Sequence, residues 1–422
     1  MKYFLKISQQ TLWQILGKVV TSISTFIILG IVARNYGESG TGVFTLALTY
    51  LAIFYLLSDF GFNAHVLRKG IGFRVQGIVE WQKLLGTRLV WSAILVVLAV
   101  VTLSFWPFTT VDFTQAVIFG SLAVVASGVF VTCNLIFQSK LRYELSVLAS
   151  SLGTLVSLAV FIYLASLKVP IPFLLLAHLL GWVVIAITSL VLVKKIATAT
   201  SWLRNDGKGS ISEGKNLFIF DLSYTINLFK QSWPIAATLA LNVIYFRADA
   251  FMIAYFRSSA EVGIYNVAYS VFQTALVLPT FIMNAYYPMM LKSLKGIKLI
   301  GLGLGILASL GTVMTYLLSP IITGILTGGG FEGSSQSLQI LSFGFPAYFL
   351  SALLMWMMVT KGRYKLMLAI YALGLVVNLT LNAVYIPQYS FLAASWITVI
   401  SEYLILVLLV MVLLFERREN LS

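Results

Sequence analysis

Only 10% of the 422 residues are charged, against about 25% in a soluble domain, and 59% are apolar. So few charges cannot clothe a water-soluble fold of this size, which excludes a soluble enzyme, and the mean hydropathy of +0.95 agrees. About 250 apolar residues, at roughly 20 per bilayer crossing, correspond to about twelve spans.

In chain order, apolar runs of membrane length fall at 12–33, 42–62, 86–106, 116–138, 146–167 and 171–193. A second set follows at 234–256, 266–290, 297–319, 337–359, 365–386 and 390–414. The first run is too long for a cleaved signal sequence, contains Lys18, and is followed closely by another span. The fold expected is all-α and integral to the membrane, with twelve transmembrane helices in two six-helix lobes. The lobes comprise 1–193 and 232–422, joined by a hydrophilic cytoplasmic linker at 194–231 that contains Asn205-Asp206-Gly207-Lys208-Gly209-Ser210. The longest loop on the opposite side is expected at about 320–336.

The net charge of +14 would suggest nucleic acid in a soluble protein. Here it reports orientation. With twelve spans, 23 of the 28 Lys and Arg residues fall on the side shared by both termini, Arg88 among them. Only Arg34, Lys168 and Arg257 fall opposite, and Lys18 and Arg247 lie inside spans. That asymmetry places both termini in the cytoplasm, and no nucleic-acid partner is needed.

The two halves echo each other. Gly42-Val43-Phe44-Thr45-Leu46-Ala47 and Gly263-Ile264-Tyr265-Asn266-Val267-Ala268 open equivalent spans 221 residues apart. A repeat of six helices keeps its orientation, so it predicts lobes related by an axis along the membrane normal.

Polar residues inside spans mark where protein or water must face them. Thr11, Gln14, Lys18, Thr21, Ser22 and Thr25 share one face of the first span. Thr238, Asn242, Tyr245 and Asp249 repeat the spacing in the seventh span. Asn266, Ser270, Gln273, Thr280 and Asn284 align in the eighth. Interhelical hydrogen bonds account for isolated Ser and Thr residues, at about 0.6 kcal/mol each. They account less well for a Lys, an Asp and several amides, which point to a hydrated cavity. Lys18, Arg247, Asp249 and Glu402 are the deepest ionisable residues, and leaving all four against lipid would cost on the order of 10 kcal/mol. Arg247 and Asp249 point away from each other, so each needs a partner on another helix or in water, and Glu402 is a candidate partner for Arg247. His178 reads as a satisfied buried imidazole.

No Ser-His-Asp, His-Glu-x-x-His or paired-carboxylate constellation is present, so no enzymatic chemistry and no cofactor are expected. Cys133 is the only cysteine, which excludes an intramolecular disulfide, and two histidines do not build a metal site. Gly328-Gly329-Gly330-Phe331-Glu332-Gly333 lacks the Lys-Ser/Thr of a phosphate loop and reads as a flexible turn.

The order of several motifs resembles one family. They are Val32-Ala33-Arg34-Asn35-Tyr36-Gly37 with Gly42-Val43-Phe44, and Asp59-Phe60-Gly61-Phe62 with Arg68. Arg247-Ala248-Asp249 and 261–268 follow, then Asn378, Asn382, Ile386-Pro387-Gln388-Tyr389, Ala393-Ala394 and Ser401-Glu402. Together they resemble polysaccharide flippases of the multidrug/oligosaccharidyl-lipid/polysaccharide exporter superfamily, over nearly the whole chain. Ser390 departs from the pattern, where glycine is common. The resemblance implies a flippase of the bacterial inner membrane that moves undecaprenyl-diphosphate-linked oligosaccharide across the bilayer by alternating access, for O-antigen-like polysaccharide. A lipid diphosphate needs cations, for which Lys18, Arg34 and Arg247 are candidates. Its sugars need hydroxyl and amide groups, for which Gln14, Thr21, Thr25, Asn242, Tyr245, Gln273 and Asn284 are candidates. Asp249 and Glu402 are candidates for an H⁺ or Na⁺ counter-ion. The expected partners are the lipid-linked substrate and membrane lipids, with the chain acting as a monomer. The alternative in the same superfamily is a cation-coupled multidrug exporter, whose cavity should be anionic where this chain has Lys18.

Overall fold

The computed structural model describes the backbone of residues 2–68, 75–140, 142–202, 218–291, 293 and 296–419. Within these, the side chains of 2–11, 68, 75–78, 197–202, 238, 242, 284–285, 288, 364 and 416–419 lie outside the described residues. Thr11, Arg68, Thr238, Asn242 and Asn284, singled out above, are therefore not placed, nor are the basic residues at 2, 6, 69, 74, 204, 208, 215, 292, 295, 417 and 418.

Among the described residues the fold is helical throughout, without strands. In the first half run α1 (Lys2–Asp59), α2 (Phe62–Arg68), α3 (Val75–Val101), α4 (Val111–Ser121), α5 (Ala123–Ser139), α6 (Tyr143–Ser166) and α7 (Ile171–Trp202). In the second run α8 (Leu222–Phe256), α9 (Ser259–Ala275), α10 (Val277–Met290), α11 (Ile297–Thr327), α12 (Glu332–Ser342), α13 (Phe345–Thr360) and α14 (Tyr364–Glu419). Among the described residues, eight helices are long and apolar enough to cross a membrane, and up to ten if each of two bent pairs forms one span.

The two longest helices are each interrupted once. A straight helix of 58 residues would run about 87 Å, nearly three times the hydrocarbon thickness of a bilayer. α1 breaks at Gly37 (φ 66°, ψ −167°) and α14 breaks at Ser390 (φ 53°, ψ −136°). Glycine reaches this region freely, whereas a residue with a Cβ is strained there by about 1–3 kcal/mol. Ser390 therefore carries the strain that its departure from the family pattern implies. Ser390→Gly is expected to stabilise the protein by about 1 kcal/mol, after allowing for the extra chain entropy of glycine. A raised thermal-unfolding midpoint in detergent checks this; an unchanged or lower one contradicts it.

Two boundaries differ from the sequence expectation. Pro320 lies inside α11, which continues to Thr327, so the loop expected at 320–336 shrinks to the few residues before Glu332. Membrane helices tolerate proline because neighbouring hydroxyls re-satisfy the backbone, and the Ser319 and Thr323 hydroxyls bond carbonyls there. The helix ends where Gly328 turns left-handed (φ 76°) and donates its N–H to Gly324 O at 2.8 Å. The stretch expected to be a linker is helical at its two ends, in α7 to Trp202 and in α8 from Leu222.

The chain forms two compact units. The first comprises Met1–Ile31 and Leu46–Ile244, the second Val32–Thr45 and Tyr245–Ser422. In the first unit, the start of α8 is fastened to α3. Asp221 caps α8 by accepting the Tyr224 N–H at 3.0 Å, and Lys83 Nζ lies 2.6 Å from its other oxygen. Ile219 N–H donates to Gln82 O at 3.1 Å, and the Thr87 and Thr225 hydroxyls are 2.8 Å apart. The Lys83 hydrogen bond, then the Tyr224 amide, hold the Asp221 carboxyl below the usual carboxylate range. A depressed folded-state pKa means that the stabilisation is complete above about pH 4, the unfolded value, and is lost as pH falls through the lower folded value. Asp221→Asn should lower the unfolding midpoint at pH 7, and the difference should vanish under strongly acidic conditions. A difference independent of pH would rule out the carboxylate as its source.

Candidate functional site

The second unit holds a carboxylate surrounded by neutral donors. Asp249, near the end of α8, is 4% exposed. Its Oδ1 accepts from Asn382 Nδ2 at 2.6 Å. Its Oδ2 accepts from the Tyr265 hydroxyl at 2.8 Å and lies 2.7 Å from Thr398 Oγ1. Helical spacing builds this arrangement. Asn378 and Asn382 are one turn apart before the Ser390 break, and Thr398, Ser401 and Glu402 share a face after it. Asn382 Nδ2 also donates to Asn378 Oδ1 at 3.0 Å, and Asn378 Nδ2 to Ser401 Oγ at 3.4 Å.

The donor count leaves this cluster open to a cation. Thr398 has one hydroxyl hydrogen, yet its oxygen is within reach of both Asp249 and Ala394 O, the latter at 2.9 Å. Asn382 Oδ1 is buried without a hydrogen-bond partner. No salt bridge reaches Asp249 among the described residues. Carboxylate, amide and hydroxyl oxygens of this kind suit a proton or a hard cation. Groups of three or more His, Cys, Asp and Glu are absent among the described residues, so no soft-metal cluster is formed there.

Glu402 is also buried, at 2% exposure, and its Oε2 accepts the Tyr245 hydroxyl at 3.0 Å. The candidate Arg247–Glu402 ion pair is not formed among the described residues; Tyr245, one turn before Asp249, reaches the carboxylate instead. Arg247 is half-buried and makes no ion pair among the described residues.

The other anticipated residues separate into two groups. Gln14, Lys18 and Thr25 are exposed on α1, and Thr21 is partly buried. The Thr21 and Thr25 hydroxyls bond carbonyls of their own helix, Gly17 O and Thr21 O, at 3.1 and 2.8 Å. Gln273 is partly buried on α9. Arg34 is committed elsewhere. Its Nε donates to Leu326 O at 3.3 Å and its Nη2 to Ile325 O, so it caps the C-terminal end of α11.

Two buried polar centres lie in the first unit. Arg88, counted above as a loop charge, is wholly buried. Nε donates to Ser58 O (3.1 Å), Nη1 to Asn63 Oδ1 and Thr132 Oγ1 (3.1 and 2.8 Å), and Nη2 to Asp59 O and Oδ1 (3.2 and 3.1 Å). All five guanidinium hydrogens are thus occupied, and the group stacks 5.5 Å from the Phe62 ring centroid. His178 is satisfied as expected. Trp182 Nε1 donates to its Nε2 at 3.2 Å, and the Tyr55 hydroxyl is 2.9 Å from the same nitrogen. An indole can only donate, so Nε2 is the unprotonated nitrogen of a neutral ring.

Sequence reasoning singled out Asp249, Glu402 and Tyr245 but missed Tyr265, Thr398, Asn378 and Asn382 as partners of Asp249. The signal was available in the four-residue spacing of Asn378–Asn382 and Thr398–Glu402 within apolar helices.

The helical, multi-span architecture with buried polar centres is that of a membrane transporter, and the comparisons specify which. The family model described as polysaccharide biosynthesis protein matches residues 7–294. The chain belongs to this family. A curated relative from Shigella dysenteriae, named "Putative O-antigen transporter", is 25% identical over 305 residues, covering 70% of this chain and 71% of its own. In fold the chain is similar to the lipid II flippase MurJ in an inward closed conformation, with a TM-score of 0.69 at 11% identity, covering 96% of this chain and 87% of that one. It is also similar to an inward-facing multidrug resistance MATE transporter, with a TM-score of 0.64 at 13% identity and 94% of each chain covered.

Proposed function

We propose that this protein is a flippase that carries an undecaprenyl-diphosphate-linked oligosaccharide across the cytoplasmic membrane for cell-surface polysaccharide synthesis. The observation that carries the reading is the family match over 7–294. The relative named as an O-antigen transporter supports it. The chain makes twelve crossings: α1 and α14 contribute two each through their breaks, and the bent pairs one each. Its helices form two parallel six-helix repeats, 1–193 and 232–422, with both termini cytoplasmic by the distribution of Lys and Arg. Transport proceeds by alternating access in a monomer, without covalent change to the substrate.

Lys18 binds the diphosphate, and Gln14, Thr21, Thr25, Tyr245 and Gln273 meet the sugars, with Asn242 and Asn284 on the same stripes. Arg247 is the second cation. Arg34 holds α11, so its role is structural. Asp249 is the coupling site for H⁺ or Na⁺, a reading supported by its buried carboxylate lying beside the unpartnered amide oxygen of Asn382.

The test is translocation of labelled lipid-linked oligosaccharide in reconstituted vesicles. A hydrogen bond to a charged group contributes about 1.5–3 kcal/mol, so Lys18→Ala should slow translocation about ten- to a hundredfold, with Lys18→Arg largely active. Translocation indifferent to Lys18→Ala removes the cationic-site assignment. The exporter alternative predicts instead that expression raises drug resistance, which the flippase reading does not.

A further inference from the structure

Within the first unit, four large side chains on the packed faces of helices stay partly exposed. They are Tyr55 on α1, Phe130 on α5, and His178 and Trp182 on α7. Exposed Phe173, Leu180, Ile187 and Val191 mark the lipid-facing side of α7, and at 100° per residue His178 and Trp182 point roughly opposite. Leu174, Ile185 and Ser189 on that opposite side are buried. Phe130 and Asn134 are likewise partly exposed on the side of α5 that carries buried Ser127 and Phe137. None of residues 46–59 on α1 is exposed. Partial exposure in the middle of a packed face means that a cleft opens beside these side chains, away from lipid.

The wall of this cleft is aromatic with polar edges. Ring centroids of Tyr55 and Trp182 lie 5.5 Å apart, Phe130 and Trp182 6.2 Å, and Tyr55 and His178 6.1 Å, all tilted or edge-on. None is a face-to-face stack like that of Phe272 on Phe345, so ring faces stay available. Hydrogen-bonding capacity is left over too. The Tyr55 hydroxyl and Trp182 Nε1 both reach His178 Nε2, whose single lone pair fully serves one donor. The proton of this neutral ring is on Nδ1, which bonds no protein atom among the described residues. One turn along α5 from Phe130, Asn134 Oδ1 is buried without a partner. Asp59, one turn beyond Tyr55, is already paired with Arg88, and the four rings are uncharged. Spare donors, a spare acceptor and π faces without charge suit a pyranose. Its C–H face is slightly positive and meets the negative face of an aromatic ring, while its hydroxyls both donate and accept. An acyl chain would leave the polar groups unmet, and an organic cation would find no charge to balance it. At the 221-residue spacing of the proposed repeat the same four positions carry Leu276, Ser351, Val399 and Tyr403, so the cluster is not a packing element common to both halves.

We propose that Tyr55, Phe130, His178 and Trp182 form a docking site in the first unit for one neutral sugar ring of the substrate, a proposal that rests on the flippase reading above. The test is equilibrium binding to the purified full-length protein in detergent, read by fluorescence anisotropy with two probes. One is fluorescent undecaprenyl-diphosphate oligosaccharide, and the other is the same lipid diphosphate without sugar. Trp182→Ala should weaken binding of the sugar-bearing probe about tenfold, the scale of one lost aromatic contact. Trp182→Phe keeps a ring face and should stay within about twofold of wild type. Binding of the sugar-free probe should be unchanged in both variants. Equal losses for the two probes, or no loss for the sugar-bearing one, overturn the site.

A second measurement needs no lipid. Ala52, one turn before Tyr55, is also partly exposed, and the only native cysteine, Cys133, is wholly buried. The thiol of Ala52→Cys should therefore react with a water-soluble methanethiosulfonate. Free oligosaccharide cleaved from the lipid probe, at millimolar concentration, should slow that reaction severalfold. An unreactive thiol, or a rate indifferent to the oligosaccharide, overturns the proposal. If wild-type protein binds neither lipid probe while the oligosaccharide still protects Ala52→Cys, the lipid-linked substrate assignment fails and the sugar site stands.

Discussion

Arg88→Leu should be the most destabilising single substitution in the first unit. The guanidinium is wholly buried and all five of its hydrogens are bound, to Ser58 O, Asn63, Thr132 and both Asp59 acceptors. Removing one side of a buried charged network costs about 3–5 kcal/mol, because the groups left behind lose their partner without regaining water. Arg88→Lys should recover only part of this, since an ammonium offers three hydrogens and no planar fork. Asp59→Asn should cost less, because Asp59 is 34% exposed and the other bonds to the guanidinium remain. The midpoint of thermal unfolding in detergent should fall in the order Asp59→Asn, Arg88→Lys, Arg88→Leu. A wild-type midpoint for Arg88→Leu contradicts the account.

Asp249→Asn should uncouple transport from its driving ion. The substitution keeps the volume and leaves one oxygen to accept from Tyr265 or Thr398, but removes the charge that a proton or cation neutralises. Transport driven by an imposed Na⁺ or H⁺ gradient should fall to the undriven rate, while substrate binding and the unfolding midpoint change little. Asp249→Ala adds a stability loss, because the Tyr265 and Asn382 donors lose an acceptor while Thr398 retains Ala394 O, at about 1–3 kcal/mol for each buried group left unpaired. Gradient-driven transport at the wild-type rate in Asp249→Asn would remove Asp249 from the coupling role.

Much of the membrane architecture was legible because apolar length is a one-dimensional property. The runs at 12–33 and 42–62 fall on either side of the Gly37 break, and those at 365–386 and 390–414 meet at Ser390. Helix ends were less legible. Pro320 looked like the end of α11, yet a helix flanked by Ser319 and Thr323 absorbs a proline. The candidate site was half legible. Intramembrane charge flagged Asp249, Glu402 and Arg247, but the choice of partner is a three-dimensional fact. Tyr245 rather than Arg247 reaches Glu402, and Asn382 reaches Asp249 across 133 residues of chain. Arg88 shows the limit of counting charges by loop: its position suggested a solvated end, and Asn63, Thr132 and Asp59 fold over it. Arg34 shows the same limit in reverse, since the carbonyls it caps belong to a helix almost 300 positions later.

The central claim is translocation of a lipid-linked oligosaccharide, and the direct measurement is leaflet exposure in vesicles. Fluorescent undecaprenyl-diphosphate oligosaccharide is reconstituted with the purified protein, and the fraction reached by an impermeant quencher is followed in time. The account predicts that the inner-leaflet pool becomes accessible much faster than in protein-free vesicles, and that Lys18→Ala slows this. Exposure at the protein-free rate, from correctly folded wild-type protein under an imposed H⁺ or Na⁺ gradient, would contradict it.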